Sequence, residues 1–216
     1  MSRTFTLTDL RFGYGPDLIR LDRAVFPAAE GMIIDGPNGS GKTTLLKLLA
    51  GILKPRQGVI EYEGRPIEAL DRRATRILFV HQRPYIFKGT VRGNLTAALY
   101  AGCVPEAEHP ARVGEALALF GLDAIARKRH FELSTGERQK TAIARALALR
   151  PEVLLLDEPA TGLDAGGRRE LITILHSALS RGIGVVLATH DPDIALALDM
   201  NIFRIEEALP PQAGEA

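Results

Sequence analysis

The sequence contains a single cysteine, Cys103, among its 216 residues. One cysteine cannot form an internal disulfide, and no set of cysteine and histidine residues has the spacing of a zinc site. These absences exclude a small disulfide-stapled domain and a zinc-binding module. A reducing compartment is the expected environment.

Long hydrophobic runs are also missing. The longest apolar stretches, such as residues 182–188, fall far short of the roughly 20 residues needed to span a bilayer. The first twelve residues alternate apolar and polar side chains and lack the apolar centre of a signal peptide. We therefore expect any role at a membrane to depend on a partner.

There is little excess charge of either sign. Lysine and arginine total 27 and aspartate and glutamate 26, so the formal net charge is +1. No global basic field is present to attract nucleic acid or an anionic membrane. With 46% hydrophobic residues, the chain can bury the core of one α/β domain.

Hydrophobic patterns predict alternating strands and helices along most of the chain. The predicted strands cover 5–12, 19–26, 32–35, 58–62, 77–81, 153–156 and 183–188, and the predicted helices cover 42–50, 113–120, 141–149 and 165–180. Helical character dominates between about 91 and 149. This order favours an α/β core with a largely parallel sheet and a helical insert before the last strands.

A glycine-rich segment after the third predicted strand matches G-x-x-x-x-G-K-[ST] in full and precedes a helix, which is the setting this motif requires. Its backbone N–H groups and the helix N-terminus suit phosphates, Lys42 suits the β- and γ-phosphates, and the Thr43 hydroxyl suits Mg²⁺. ATP with Mg²⁺ is therefore the predicted ligand. The predicted contacts are Gly36, Pro37, Asn38, Gly39, Ser40, Gly41, Lys42, Thr43 and Thr44.

Two carboxylates follow the apolar run 153–156. Ligands of open α/β sheets bind at the carboxyl ends of strands. Asp157 would hold Mg²⁺, and Glu158 would polarise the attacking water. An Asp-Glu pair alone is more often a simple strand end, but the upstream phosphate loop favours the catalytic interpretation.

Further motifs resemble one family, the ATP-binding-cassette (ABC) ATPases. Residues 133–139 are similar to the LSGGQ signature, and Gln82 follows a strand as the glutamine of the family's Q-loop does. Residues 161–164 resemble its D-loop, His190 its switch histidine, and Tyr14 its adenine-stacking aromatic. The resemblance covers about residues 4 to 206 in the family's order.

The resemblance implies a role for each of these residues. Gln82 would join the Mg²⁺ shell and sense a transmembrane partner. Ser134 and Gly136 would contact the γ-phosphate of a nucleotide held by a second copy. Asp164 would lie at the dimer interface, and His190 would contact the γ-phosphate as part of the catalytic group.

Two signature positions depart from the family pattern. Thr135 replaces a glycine, so a β-branched side chain could loosen the phosphate contact. Glu137 replaces a glutamine and adds a negative charge, for which Arg138 is the expected partner. Because Ser134 and Gly136 are kept, we expect a working site.

The resemblance also implies the architecture. It predicts a P-loop NTPase with a RecA-like core and parallel-rich sheet, an antiparallel β subdomain and an inserted α-helical signature subdomain. The whole chain would be one domain, with its core at about 1–87 and 150–206, its helical part at about 88–149, and a disordered tail at 207–216.

The expected function is that of the ATPase subunit of an ABC transporter, working as a head-to-tail homodimer on the cytoplasmic face of the membrane. A permease on another chain would span the bilayer, with a solute-binding protein as a further expected component. Residues 82–91 resemble small importers, with a weaker likeness to tungstate-type oxyanion importers. Residues 85–87 would either form an exposed docking cluster or pack into the helical insert.

Two other functions stay open at this point. A soluble ABC protein acting on ribosomes or DNA usually carries two cassettes or a long coiled-coil insert, and neither is present. A P-loop kinase would explain residues 36–44 but not Ser134, Gly136 or His190. The basic run 127–130 could contact nucleic acid, but the near-neutral chain favours a solvated turn, and no nucleic-acid partner is expected.

Overall fold

A computed structural model describes residues 3–69 and 77–208. The tail predicted to be disordered, 207–216, lies outside the described residues from residue 209 onward. Within the described ranges two sheets and a set of helices form the α/β fold that the sequence predicted.

The first sheet is antiparallel and has the order β2-β1-β4-β5. Its strands are β1 (Thr4–Phe12), β2 (Ile19–Pro27), β4 (Gln57–Tyr62) and β5 (Arg65–Pro66). In β1 the pairs Phe5 and Leu7, and Leu10 and Phe12, are buried at a spacing of two residues, with a one-residue shift where the pairing with β4 is irregular. This period of two identifies a sheet with one face toward the core.

The second sheet is parallel and has the order β6-β7-β8-β3-β9. Its strands are β3 (Met32–Asp35), β6 (Ile77–Val80), β7 (Val153–Asp157), β8 (Gly184–Ala188) and β9 (Asn201–Arg204). Strands β7 and β8 are buried along their whole length, as expected for sequences that are apolar except for Asp157 at the end of β7. All carboxyl ends therefore meet at one edge of this sheet.

The helices are α1 (Lys42–Leu49), α2 (Val91–Ala101), α3 (His109–Leu119), α4 (Thr135–Ala148), α5 (Ala165–Ser180) and α6 (Pro192–Leu198). Helices α2, α3 and α4 pack on one another and form the insert between β6 and β7. In the described part of the chain, no helix combines the length and the apolar character that crossing a membrane requires.

Helix α1 joins the core that lies between the two sheets. Leu45, Leu46, Leu48 and Leu49 are all fully buried there. Burying each leucine stabilises the fold by about 1.5–3 kcal/mol relative to exposure. The phosphate loop before α1 is thus attached to a helix that packs firmly in the core.

The predicted strand bounds are confirmed to within one residue, whereas the starts of two helices were wrong. Helix α3 begins at His109, four residues before the predicted start. Helix α4 begins at Thr135, not at Thr141. Ser134 caps it through a capping box, in which the Ser134 side chain accepts from the N–H of Glu137 and the Glu137 carboxylate accepts from the N–H of Ser134. The polar first turn hid this start from a reading based on apolar periodicity.

Candidate nucleotide site

The phosphate loop connects the carboxyl end of β3 to the first turn of α1. Gly41 is the residue that caps α1, and its φ of 99° lies in the region that favours glycine. A side chain at Gly36 would collide with Ile205, because a Cβ there would lie 2.4 Å from its Cγ2 atom. Both glycines therefore keep the backbone close and curled, which is what a phosphate cradle needs.

Lys42 is buried and lies along the inside of this loop. Its Nζ donates to the carbonyl oxygens of Gly36 at 2.6 Å and Pro37 at 3.0 Å. The buried Oγ of Ser40 has no hydrogen-bond partner among the described residues. Buried polar atoms almost always have a partner, so a phosphate oxygen fits at Ser40.

Thr43 and Asp157 meet where α1 and β7 approach each other. The Thr43 hydroxyl lies 2.9 Å from both carboxylate oxygens of Asp157. Burial raises the pKa of Asp157, and the hydrogen bond from Thr43 opposes this shift. A hydroxyl beside a carboxylate offers the oxygen ligands that Mg²⁺ prefers.

Glu158 lies between two potential cations. Its Oε1 is 3.6 Å from Lys42 Nζ and 2.7 Å from His190 Nδ1, and only 8% of the residue is exposed. Its φ of 44° is strained for a residue with a side chain, and its N–H donates to the Ala188 carbonyl at 2.9 Å. Strands β7 and β8 thus hold Glu158 and His190 together at the sheet edge.

Gln82 follows β6 and reaches the same edge from the other side. Its Nε2 donates to the Thr161 hydroxyl at 3.3 Å, and the Thr161 N–H donates to the Glu158 carbonyl at 3.1 Å. Thr161 was not singled out as a contact from the sequence. Its position in a motif already linked to the dimer interface hid this local role.

Tyr14 lies in the loop between β1 and β2, with 70% of the residue exposed. Its ring meets the edge of Phe12 at a centroid distance of 5.3 Å. The same loop ends at Leu18, whose Cγ would be 3.4 Å from a Cβ at Gly41. The loop therefore lies beside the phosphate loop, and its aromatic ring is free to stack on a planar base.

The signature residues form a separate polar surface on the helical insert. Ser134 and Gly136 stand at the start of α4, where N–H groups and the helix dipole suit an anion. Among the described residues, no hydrogen bond or ion pair joins segment 133–139 to segment 36–44. The chain thus carries two separate helix starts whose N–H groups suit an anion.

The two departures in the signature have partners within the fold. The Thr135 methyl group packs toward Gly162, where an added Cβ would lie 3.2 Å from Thr135 Cγ2. The prediction that Arg138 offsets Glu137 was wrong, because Arg138 Nε donates to the Leu133 carbonyl instead. Lys128 makes the ion pair, with Nζ 2.9 Å from Glu137 Oε1.

Asp164, predicted at a dimer interface, is exposed and caps α5. Its Oδ1 accepts a hydrogen bond of 2.7 Å from the N–H of Gly167. This contact gives the residue a structural role within one chain. It leaves the outer side of the 161–164 loop open to a second chain.

Segment 85–87 divides between core and surface. Tyr85 is 69% and Phe87 42% exposed, whereas Ile86 is only 5% exposed. Of the two alternatives, exposure therefore holds for the two rings and packing into the core holds for Ile86. The two exposed rings line a groove of about 430 Å³ between β6 and helices α2 and α4. The guanidinium of Arg145 lies 4.6 Å from the centre of the Phe87 ring.

The fold and the site together place this chain in the class of P-loop nucleotide-binding proteins. The side chains suited to the nucleotide lie at one edge of the parallel sheet. The family model described as ABC transporter matches residues 24–161. The chain therefore belongs to the ABC transporter family of ATPases.

Two curated relatives are named for import. The cobalt import ATP-binding protein CbiO of Rhodobacter capsulatus is 37% identical over 88% of this chain and 71% of its own length. The sulfate/thiosulfate import ATP-binding protein CysA of Nocardia farcinica is 38% identical over 96% of this chain and 65% of its own length. The chain thus spans about two thirds of the length of these relatives.

A solved structure shares the fold. It shows the ATP-binding cassette MJ0796 as a dimer in a post-hydrolysis state bound to ADP and Pi. The TM-score is 0.80 with 27% identity, covering 89% of this chain and 90% of that one. The expected α/β P-loop architecture is therefore confirmed.

Proposed function

We propose that this chain hydrolyses ATP as the motor subunit of an ABC transporter whose membrane-spanning subunit is another chain. The observation that carries the proposal is the convergence at one sheet edge of a lysine, a hydroxyl–carboxylate pair and a carboxylate held between two potential cations. Phosphoryl transfer needs mainly such positioning and charge stabilisation.

Each group has a proposed task. Lys42 leaves its carbonyl partners to bind the β- and γ-phosphates, while Thr43, Asp157 and Gln82 would hold Mg²⁺. When bound, Mg²⁺ neutralises phosphate charge. Glu158 orients and accepts a proton from the attacking water, and His190 contacts the γ-phosphate from the next strand end.

The remaining binding contacts come from the loops around this edge. Tyr14 stacks on the adenine, and the phosphate-loop backbone surrounds the phosphates from Gly36 to Thr44. We propose that the chain divides into a core at about 1–87 and 150–206 and a helical subdomain at about 88–149. The phosphate loop then belongs to the core and the signature to the helical subdomain. Their separation within one chain supports a site completed by a second chain.

We propose a head-to-tail homodimer with two ATP molecules between the copies. Ser134 and Gly136 of one copy then contact the γ-phosphate held by Lys42 of the other, and Asp164 lies at the interface. The dimeric ADP-bound relative supports this arrangement.

The groove beside Tyr85 and Phe87 is the proposed docking surface for the permease. Two exposed rings around an apolar cavity fit a short apolar helix, and β6, which lines the groove, leads directly to Gln82. The relatives named for import support the importer direction. A place at the cytoplasmic face of the membrane and a solute-binding protein are further parts of this proposal. The tungstate likeness stays a prediction, because these relatives are named for cobalt and sulfate/thiosulfate.

The test is Glu158→Gln, which keeps size and hydrogen bonding but removes the charge that orients water. Hydrolysis should fall about 100-fold or more, while MgATP stays bound and a stable dimer accumulates in size-exclusion chromatography. Glu68→Gln, which loses only an exposed pair with Lys54, is the control and should behave as wild type. Wild-type hydrolysis by Glu158→Gln would overturn the assignment.

A further inference from the structure

The signature of this chain places an acidic side chain beside a surface proposed to receive phosphate. Glu137 lies in the first turn of α4, one residue beyond Gly136. A carboxylate there satisfies the helix dipole by itself and repels an incoming phosphate. A chain that uses this surface for ATP needs a way to offset that charge.

Lys128 forms a direct, charge-assisted hydrogen bond with Glu137. Its Nζ donates to Glu137 Oε1 at 2.9 Å, while Oε2 accepts the N–H of Ser134 at 2.8 Å. The hydrogen bond from Lys128, followed by that from Ser134, lowers the pKa of Glu137, so the carboxylate is charged. Both of its oxygens therefore point to partners on its own chain.

The backbone of Lys128 is anchored on both sides. Its N–H donates to the Ile125 carbonyl at 2.9 Å, and its carbonyl accepts from the N–H of Val91 at 3.1 Å. Val91 is the first residue of α2. The lysine thus belongs to a braced turn, and its reach to Glu137 does not depend on a mobile loop.

The capping box leaves one useful donor on Ser134. Its Oγ accepts the N–H of Glu137 at 3.2 Å, which leaves the hydroxyl hydrogen to be donated elsewhere. Among the described residues, none accepts a hydrogen bond from the N–H of Gly136. Both donors stand beside the neutralised Glu137–Lys128 pair.

We propose that Lys128 is a positioning residue that holds and neutralises Glu137, so that the Ser134 hydroxyl and the Gly136 N–H can bind the γ-phosphate of ATP held by a second copy. This inference rests on the proposed ATP-linked dimer. Lys128 lies outside the signature, and by this proposal it allows a signature that contains Glu137 to bind phosphate.

Symmetry makes the effect measurable. A head-to-tail dimer contains two equivalent composite sites, so a loss at one site enters the dimer dissociation constant twice. A roughly fivefold loss per site becomes about 25-fold for the dimer, within the range expected for a partly exposed charge pair. Salt screens such a pair, so the effect should shrink as ionic strength rises.

The experiment measures MgATP-dependent dimerisation in the Glu158→Gln background by analytical ultracentrifugation. Lys128→Ala should raise the dimer dissociation constant at least tenfold, and Lys128→Ala combined with Glu137→Gln should restore it to within about threefold. Lys54→Ala, which removes an equal charge from an exposed pair outside the signature, is the control. Thermal unfolding of each monomer confirms that the variants are folded.

The possible failures are distinguishable. If Glu158→Gln alone does not dimerise with MgATP, the proposed function fails. If it dimerises and Lys128→Ala matches Lys54→Ala, the inference is overturned. If Lys128→Ala weakens the dimer and Glu137→Gln does not rescue it, Lys128 only supports the fold, and the inference is overturned as well.

Discussion

At the scale of single residues, the site holds charges that cost stability for the sake of ligand binding. Asp157 is 4% exposed, and burial raises its pKa, so its charged form is disfavoured in the folded chain. A raised pKa of a carboxyl means that the ionised group at neutral pH weakens the fold. Such a cost is expected at a carboxylate that is proposed to bind Mg²⁺.

Asp157→Asn should therefore separate stability from function. Without nucleotide, its Tm should rise by roughly 2–4 °C, because the amide keeps an oxygen for Thr43 and loses the buried charge. The Mg²⁺ concentration for half-maximal ATPase activity should rise. Calorimetry of the nucleotide-free chain and a Mg²⁺ titration measure the two effects. A lower Tm than wild type would show that the Thr43–Asp157 contact stabilises the fold more than burial of the charge weakens it.

At the scale of elements, the segment after β6 connects the nucleotide edge to the helical insert. The buried Asn94 of α2 holds this segment, because its Oδ1 accepts the N–H of Phe87 at 2.8 Å and its Nδ2 donates to the Phe87 carbonyl at 3.1 Å. Arg145 of α4 covers the Phe87 ring. The groove wall is thus fixed from both α2 and α4.

Tyr85→Asp should uncouple ATPase activity from transport and leave ATP binding intact, since it places a charge in the apolar groove. Transport in reconstituted vesicles, together with ATP affinity, measures the two effects. Ile52→Asp, at a position 51% exposed and outside the groove, is the control. If Tyr85→Asp and a matching change at Phe87 both leave assembly with the permease intact, the docking surface lies elsewhere.

A second set of contacts ties the helical insert to the core at the opposite end of the strands. Glu115 of α3 binds Arg150, after α4, at 3.1 Å, and also binds Arg181, after α5. The hydrogen bond from Arg150 lowers the pKa of Glu115. Burial opposes this shift, and the hydrogen bond from Arg181 adds to it. A carboxyl whose pKa is lower in the folded chain than in the unfolded chain stabilises the fold when the pH is above its unfolded-state pKa. This stability is lost as the pH falls through the folded-state pKa.

Glu115→Gln should lower the free energy of unfolding by about 0.5–1 kcal/mol at pH 7, the range for partly exposed pairs. The difference from wild type should begin to shrink as the pH falls through about 4, the ordinary pKa of a glutamate. It should vanish only below the lowered pKa of the folded state, where the carboxyl is protonated in both states. Urea unfolding at several pH values measures this. A difference that is constant with pH would show that the charge of Glu115 is not the cause.

At the scale of the whole molecule, one chain presents the phosphate loop and the signature on surfaces that do not meet. Complementation tests whether two copies join them. Lys42→Ala and Ser134→Arg should each be inactive alone, whereas a mixture should regain part of the ATPase activity through dimers with one intact composite site, provided that one site can act alone.

The control for complementation places both changes on one chain with a wild-type partner. If sites are shared between copies, each site of this heterodimer is damaged once, and activity should be low. If sites are not shared, one site is fully intact. Robust activity from this heterodimer would contradict the composite-site arrangement.

The sequence by itself determined the parts of this protein that depend on neighbouring residues. Glycines at 36 and 41, the lysine beside them and the apolar runs of β7 and β8 predict their own local structure, because backbone conformation and burial pattern are local properties. The site residues could therefore be predicted from the sequence without their geometry. Their roles stay predictions until the experiments above are done.

Only the tertiary structure decided which side chains meet. It paired Glu137 with Lys128 and not with the adjacent Arg138, joined Gln82 to Thr161, and buried Ile86 between two exposed rings. These outcomes depend on how helices pack and strands align, and many partners within reach along the chain compete for each charge. The packing of the folded chain selects one of these partners. A local sequence pattern therefore cannot predict which partner a charged side chain meets.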